Sequence, residues 1–257
     1  MLKIVVDMYT NVPRQLAGGF AEIVFLPEGN YSGFFAGLVE AGHEVLFLQT
    51  GFKLLTETGK TIKAVVKEIK AQHPASRIEY LDTHTAMSAI GLIASFCAAA
   101  ANKGSAFQDV MELAVSLIGR FAVVFTVDNI DTIKKDPLFK KALGGFAGEL
   151  INNKPIFCVN NKGELVLLDK RRGFKTAVNA LYKIAKDNGE NIADYQVFIG
   201  HINAKEEAEA LKLKFADTVG ENVIVSEAPV AMAKKFNSIG VSVAFHMRLD
   251  KVRRETA

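Results

Sequence analysis

Four short runs rich in β-branched residues, at 2–8, 44–50, 77–83 and 121–128, are separated by stretches with helical spacing. In 106–120, Phe107, Val110, Met111, Ala114, Leu117 and Ile118 recur at intervals of three and four, the stripe of an amphipathic helix. The segment 56–72 is likewise helical, and the Ala-rich 84–102 is apolar nearly all round, which predicts a deeply buried helix. Parallel strands need long crossovers, so strands alternating with helices predict a parallel sheet with right-handed crossover helices. The second half is organised differently. Segment 154–170 is two apolar runs around Asn160-Asn161-Lys162-Gly163, a hairpin with Gly where the turn needs positive φ. A helix at 175–187 follows, then strand 195–203, helix 204–219, and strands 222–228 and 240–248. Asn203 ahead of Glu206 and Glu207 suits a helix cap with acids in its first turn. The reading is α/β: a first domain over 1–152 with a parallel sheet, and a second over 153–257 with a mixed sheet and a hairpin. The division follows a helix at 138–151, and strand 121–128 is assigned to the first sheet.

At 257 residues the chain is long enough for one large domain or two small ones. Its 49% apolar content and 18 Phe exclude a disordered chain. Two cysteines, Cys97 and Cys158, exclude a disulfide scaffold and read as small core residues. The start has no basic region followed by an apolar stretch, and the longest uncharged run, 83–102, carries too many polar groups for a membrane span. A cytoplasmic location is therefore expected, with no stable membrane insertion. The net charge of +3 is spread out, and Lys170-Arg171-Arg172 reads as a solvated exit from the hairpin, so no nucleic-acid partner is expected.

Most motifs that suggest catalysis fail on spacing. Gly59-Lys60-Thr61 opens a helix, as in a phosphate-binding loop, but Leu54 stands where that loop needs its first Gly. Gly144-Gly145-Phe146-Ala147-Gly148 follows a helix and lacks the dinucleotide-binding spacing. The histidines at 43, 73, 84, 201 and 246 have no ligand spacing, so no metal is expected. Asp82 and His84 read as a loop pair, and His201 as an edge or core residue. No G-x-S-x-G elbow is present. Neither a catalytic constellation nor a cofactor is expected.

Several stretches, in order, resemble the DegV family of bacterial fatty-acid-binding proteins. VDMYTNVP (6–13) resembles that family's T-D-S-T-A-D-L-P opening, with Asp7 and Pro13 matching and Met8 in place of Ser. Segment 80–104 resembles the strand and helix that usually read D-S-x-x-x-S-x-G-x-G, and 125–157 the D-T-L-x-Y-L-K-K-G-G-R-I…KPI segment. GELVLLDKRRGFKTAVNAL (163–181) and IGHINAKEEAEAL (199–211) resemble two further family segments. The resemblance implies two α/β domains holding a lipid between them, its carboxylate on polar loops and its acyl chain in an apolar slot.

The departures from the family pattern fall mostly in the loops that grip the carboxylate. The loop S-S-x-L-S-G-T-Y is here 50–56, from Thr50 to Thr56. The T-S-Q-P-S loop is replaced by 27–35, with Tyr31 and Ser32 as substitutes. The G-G-R-I turn has become Asp136-Pro137-Leu138-Phe139, and the H-T-G-P-G loop Lys235-Phe236-Asn237-Ser238-Ile239. An anion site remains legible on physical grounds. The loop after strand 44–50 lies at the carboxyl end of a parallel strand and leads into a helix. The Thr50 and Thr56 hydroxyls and the Gly51 amide are its donors, and the resemblance places Lys235, Asn237 and Ser238 across the cleft. The competing reading makes Thr56 a helix cap and Lys235 a solvated charge. The resemblance places Phe146, Leu150 and Ile156 along the slot; as core residues they would look the same.

The leading function is therefore non-catalytic binding of a long-chain fatty acid or acyl group, with an acyl-handling protein as a partner. A pocket-altered regulatory or interaction paralogue is the alternative, favoured if Phe52, Leu138 or Phe236 fills the slot. An enzyme on a small phosphorylated or hydroxylated substrate rests on fold analogy alone.

Overall fold

The computed structural model of the chain has the two expected sheets, one of four strands and one of six. The structure describes residues 1–13, 23–51, 56–131, 133–144, 153–160, 162–190, 192 and 196–247. Strands β1 (Leu2–Val6), β2 (Ile23–Phe25), β3 (Glu44–Gln49) and β4 (Ile78–Asp82) form a parallel sheet in the order β2-β1-β3-β4. Helices α1 (Tyr31–Glu40) and α2 (Thr56–Gln72) supply the crossovers. They cover its outer face, where Phe35, Val39, Ile62, Val66 and Ile69 pack on Val5, Val45 and Phe47.

After α3 (Met87–Asn102) and α4 (Phe107–Leu117) the chain enters β5 (Phe121–Val127), then α5 (Pro137–Leu143) and the hairpin β6 (Asn153–Val159) and β7 (Leu165–Arg172). It continues through α6 (Phe174–Asn188), β8 (Val197–Ile202), α7 (Lys205–Val219), β9 (Val223–Glu227), α8 (Val230–Phe236) and β10 (Gly240–His246). The second sheet runs β7-β6-β5-β10-β8-β9 and is mixed: β8 and β9 are parallel, and the other neighbours are antiparallel.

One assignment is corrected. The strand at 121–128 joins the second sheet, between β6 and β10, and not the first. Both its faces are buried, Val123, Phe125 and Val127 on one side and Val124 on the other. Such a run reads the same in either sheet, and only its partners decide. The chain thus changes sheets between β4 and β5, whereas the expected division at 152/153 falls inside the second sheet.

The Ala-rich helix is buried as expected, and its place explains its composition. From Met87 to Ala98 all residues but Phe96 are buried, and α3 packs against β1 and β2 of one sheet and β5, β8 and β10 of the other. Small side chains allow two sheets to close on one helix. The outer face of the second sheet is covered by α6 and α7 through Val178, Leu181, Leu211 and Phe215.

Two expected loops are helical. Asn30 caps α1 by accepting a bond from the Gly33 amide at 2.9 Å, so 27–35 is no open loop. Segment 234–239 contains the last turn of α8, which ends at Asn237 in the left-handed region (φ 47°). The helix expected over 138–151 is seen as Pro137–Leu143, capped by Asp136, and 145–152 lie outside the described residues.

Candidate functional site

At the carboxyl end of the parallel sheet the loops are tied by Asp7, which is nearly fully buried. Its Oδ1 accepts bonds from the Tyr9 amide at 2.8 Å and the Thr10 hydroxyl at 3.3 Å, and its Oδ2 from the Thr50 amide at 2.9 Å. Burial pushes its pKa up to about 6, against the lowering effect of those bonds. The Thr50 hydroxyl donates to the Thr85 carbonyl at 3.2 Å, and the Gly51 amide donates to the same oxygen at 2.9 Å. Two of the donors expected to meet an anion, Thr50 and Gly51, are therefore engaged inside the protein. Gly51 also has no room for a side chain, since a Cβ there would stand 2.2 Å from His84 Cα. Its carbonyl touches the turn of the second sheet's hairpin at Gly163, so this loop is where the hairpin meets the first sheet.

The other expected residues scatter. The Thr56 side chain, Phe146 and Leu150 lie outside the described residues. Ser32 is exposed on α1. Ile156 is fully buried, but on the face of β6 that packs against Ala177, Val178 and Leu181. That makes it core of the α6–α7 layer; strand alternation sends Phe157, not Ile156, toward α3. Lys235 and Asn237 are exposed, and the inward residues of α8 are Met232 and Phe236, four apart. The Ser238 hydroxyl accepts the Asn129 amide at 2.9 Å, which joins the exit of β5 to the entrance of β10. Asp82 and His84 form the expected loop pair, with the His84 amide donating to Asp82 Oδ1 at 2.9 Å.

A different set of residues surrounds a partly open, mainly apolar cavity that touches both halves. It lies between the loop after β1, the start of α3, strands β5, β8 and β10, and α8. Its polar wall is Tyr9, Asn11, Ser88, Thr126, His201 and Ser242; its apolar wall includes Met87, Phe125, Met232 and Phe236. None of its lining residues is Lys, Arg, Asp or Glu. The free space is about 30 Å³, roughly the room for one water molecule. Ser88 Oγ lies 3.3 Å from Ser242 Oγ, which donates to the Gly200 carbonyl at 3.4 Å. Asn11 Nδ2 and His201 Nδ1 are buried without a hydrogen-bond partner. Burial lowers the His201 pKa, partly opposed by Glu227, so its ring is neutral at neutral pH.

At the apolar end, Phe236 and Phe125 belong to a cluster of four rings. Phe125 stands 5.7 Å from Phe236 and 5.4 Å from Phe157, and Phe139 stands 5.4 Å from Phe157 and 6.1 Å from Phe236. Sequence reasoning passed over Asn11, Ser88, Gly200 and Ser242. The available signals were a Gly inside an apolar strand, which marks a close approach, and hydroxyls placed singly in apolar elements.

No group of three His, Cys, Asp or Glu side chains capable of holding a metal occurs among the described residues. No described helix is long and apolar enough to cross a membrane. Fold and cavity together define a two-sheet α/β protein with a small, partly open pocket lined by both polar and aromatic side chains. The chain belongs to the DegV family: residues 18–238 match the family model described as "Uncharacterised protein, DegV family". A DegV domain-containing protein of Clostridium perfringens, CPE0304, is 23% identical over 85% of this chain and 77% of its own length. Among solved structures, the Fatty Acid Kinase (Fak) B3 protein of Streptococcus pneumoniae loaded with linoleic acid superposes with a TM-score of 0.80. It is 15% identical over 96% of this chain and all of that one. A stearic acid-binding protein from Eubacterium ventriosum gives 0.79, at 15% identity over 98% of this chain and all of that one.

Proposed function

We propose that this chain binds a long-chain fatty acid or acyl group without transforming it, in the cavity between the α3 side of the second sheet and the loop after β1. The observation that carries the reading is the cavity's polarity: an unpartnered buried amide at one end and an apolar, aromatic wall at the other. That is the layout an acyl ligand requires, with head group and tail served by different walls. It agrees with the fatty acids named for structures of the same fold. Each buried methylene contributes about 0.8 kcal/mol, so a chain of ten carbons binds strongly once room is made. In keeping with the kinase named for the Streptococcus relative, an acyl-handling protein is the partner class proposed.

Room must indeed be made. A space of about 30 Å³ does not hold an acyl chain, and Phe236, only 2% exposed, stands across the way into the aromatic cluster. Binding on this reading displaces Phe236 and Met232 with a movement of α8. The same observation favours a second reading, a closed paralogue in which Phe236 fills the slot permanently and the protein acts through its surface. Organic-solvent extraction of the purified protein followed by lipid identification separates the two. Recovered long-chain acyl species support binding. Native mass spectrometry showing only the apo mass after delipidation and re-addition of long-chain acids would favour the closed form.

A further inference from the structure

We propose that the second sheet carries another site, on the face opposite the acyl cavity, for a small phosphate monoester with a vicinal diol, such as the phosphoribosyl group of a nucleotide. The proposal does not rest on the acyl reading. It concerns an open cleft with about 900 Å³ of free space, within the size range of small-ligand sites. Strands β8 and β9 run parallel and are joined by α7. The cleft lies at their carboxyl ends, where α/β sheets bind ligands.

Two helices of 15 residues each, α6 and α7, begin on its walls. Gly173 ahead of α6 and Ala204 ahead of α7 supply no side-chain cap, so the first amides of both helices are left to bind an anion. Lys175 and Thr176 on α6, and Lys205 on α7, border the same space. His201 is the observation that turns these helix ends into a site. It is 7% exposed, and its Nδ1 is buried without a hydrogen-bond partner. His201 borders both cavities, but alternation along β8 puts its ring on the outer face with Val197 and Ile199, whereas Phe198 and Ile202 face α3. Its charged neighbours agree: Lys205 and Glu209 lie on α7, and Glu227 is its register partner on β9. A buried ring nitrogen without a partner calls for one, and the cleft is where a ligand supplies it.

The carboxylates of the cleft define the rest of the ligand. Asp128 is paired with Lys154 at 3.0 Å, but Glu206, Glu207 and Glu227 also stand in the lining, against two lysines. An ionised carboxylate only accepts hydrogen bonds, so these three call for hydroxyl donors and repel a polyanion. Glu227 ends β9, the strand that follows α7. From that position an acidic side chain holds a ribose diol while the phosphate sits on the preceding helix. Phe174 adds an aromatic side chain for a base. A monophosphate thus matches the helix ends and lysines, whereas a triphosphate brings more negative charge than they offset.

The test titrates ribose 5-phosphate, ribose, inorganic phosphate, AMP and ATP into the full chain by calorimetry. Ribose 5-phosphate is expected to bind at least ten-fold more tightly than ribose or inorganic phosphate, and AMP more tightly than ATP. Lys205→Met and Glu227→Ala, both at exposed positions, should each weaken ribose 5-phosphate binding several-fold, with thermal unfolding confirming the fold. AMP binding much more tightly than ribose 5-phosphate assigns the site to a nucleotide, and equal affinities assign it to a sugar phosphate; either result supports the proposal. It is overturned if neither ribose 5-phosphate nor AMP binds, or if ribose or inorganic phosphate binds as tightly as ribose 5-phosphate. ATP binding more tightly than AMP, or an affinity unmoved by both substitutions, overturns it equally. None of these outcomes bears on acyl binding.

Discussion

Asp7→Asn tests whether the buried carboxyl at the end of the parallel sheet is a stability element tuned by pH. The folded pKa of about 6 stands above the ordinary 3.8, so between these values the native state holds a proton that the unfolded chain has lost. Stability from this group is accordingly highest below about pH 4 and falls as pH rises through 6, levelling off above it. At 1.36 kcal/mol per pH unit the full span is worth about 3 kcal/mol, and about 2 of that falls between pH 4.5 and 7.5. The amide cannot ionise, so this slope vanishes in the variant. It retains an oxygen for the Tyr9 amide and Thr10 hydroxyl but turns an NH2 toward the Thr50 amide, losing one bond at about 1–3 kcal/mol. The two effects nearly cancel at pH 7.5, and the loss dominates at pH 4.5. Urea unfolding of both proteins at pH 4.5, 5.5, 6.5 and 7.5 measures the difference directly, since other groups titrate alike in each. The variant should be nearly as stable as wild type at pH 7.5 and clearly weaker at 4.5. A stability difference that stays constant across this range would refute the argument.

Phe236→Ala removes a ring that is 2% exposed and should cost about 3–5 kcal/mol in chemical unfolding. It should also raise acyl affinity several-fold if that ring gates the slot; unchanged affinity would place the ligand elsewhere. Lys235→Met, at an exposed site, should shift neither acyl affinity nor its salt dependence in a fluorescent fatty-acid titration. Weaker binding with a lost salt slope would return Lys235 to the site. Thr50→Val removes the hydroxyl bond to the Thr85 carbonyl and should lower unfolding stability by about 1 kcal/mol, leaving ligand affinity alone. A selective loss of affinity would instead make Thr50 a ligand contact.

The elements were legible where local pattern determines them. The hairpin turn at Asn160–Gly163, the amphipathic stripe of 106–120 and the buried Ala-rich helix all appear near their expected places. Partnership between distant strands was not legible, because β5 is apolar on both faces and fits either sheet equally. Short helices hid for a related reason: α1 begins in a Gly- and Asn-containing stretch, and α8 is seven residues long, too short for its period to declare itself. The expected carboxylate residues were chosen because their side chains can donate. The structure shows Thr50 and Gly51 bonded to Thr85, and Ser238 bonded to Asn129. Donor capacity alone does not mark a ligand site; an unsatisfied donor does, and satisfaction is a property of the folded chain.

That distinction also bears on how the cavity relates to the sheet end described by Asp7. Asp7, Tyr9, Thr10 and Asn11 lie on one short loop, and its two ends do opposite things. At Asp7 every acceptor is matched, to the Tyr9 and Thr50 amides and the Thr10 hydroxyl, and the loop is locked to β3. At Asn11, four residues on, the side-chain amide is held in the cavity without a partner. A donor can be kept unpaired in the interior only if the backbone carrying it cannot relax, and the Asp7 bonds supply that rigidity. The orphan amide is thus a consequence of the knot beside it. Ionisation of Asp7, which weakens the native state as pH rises through 6, acts on the same loop that presents Asn11 to a ligand.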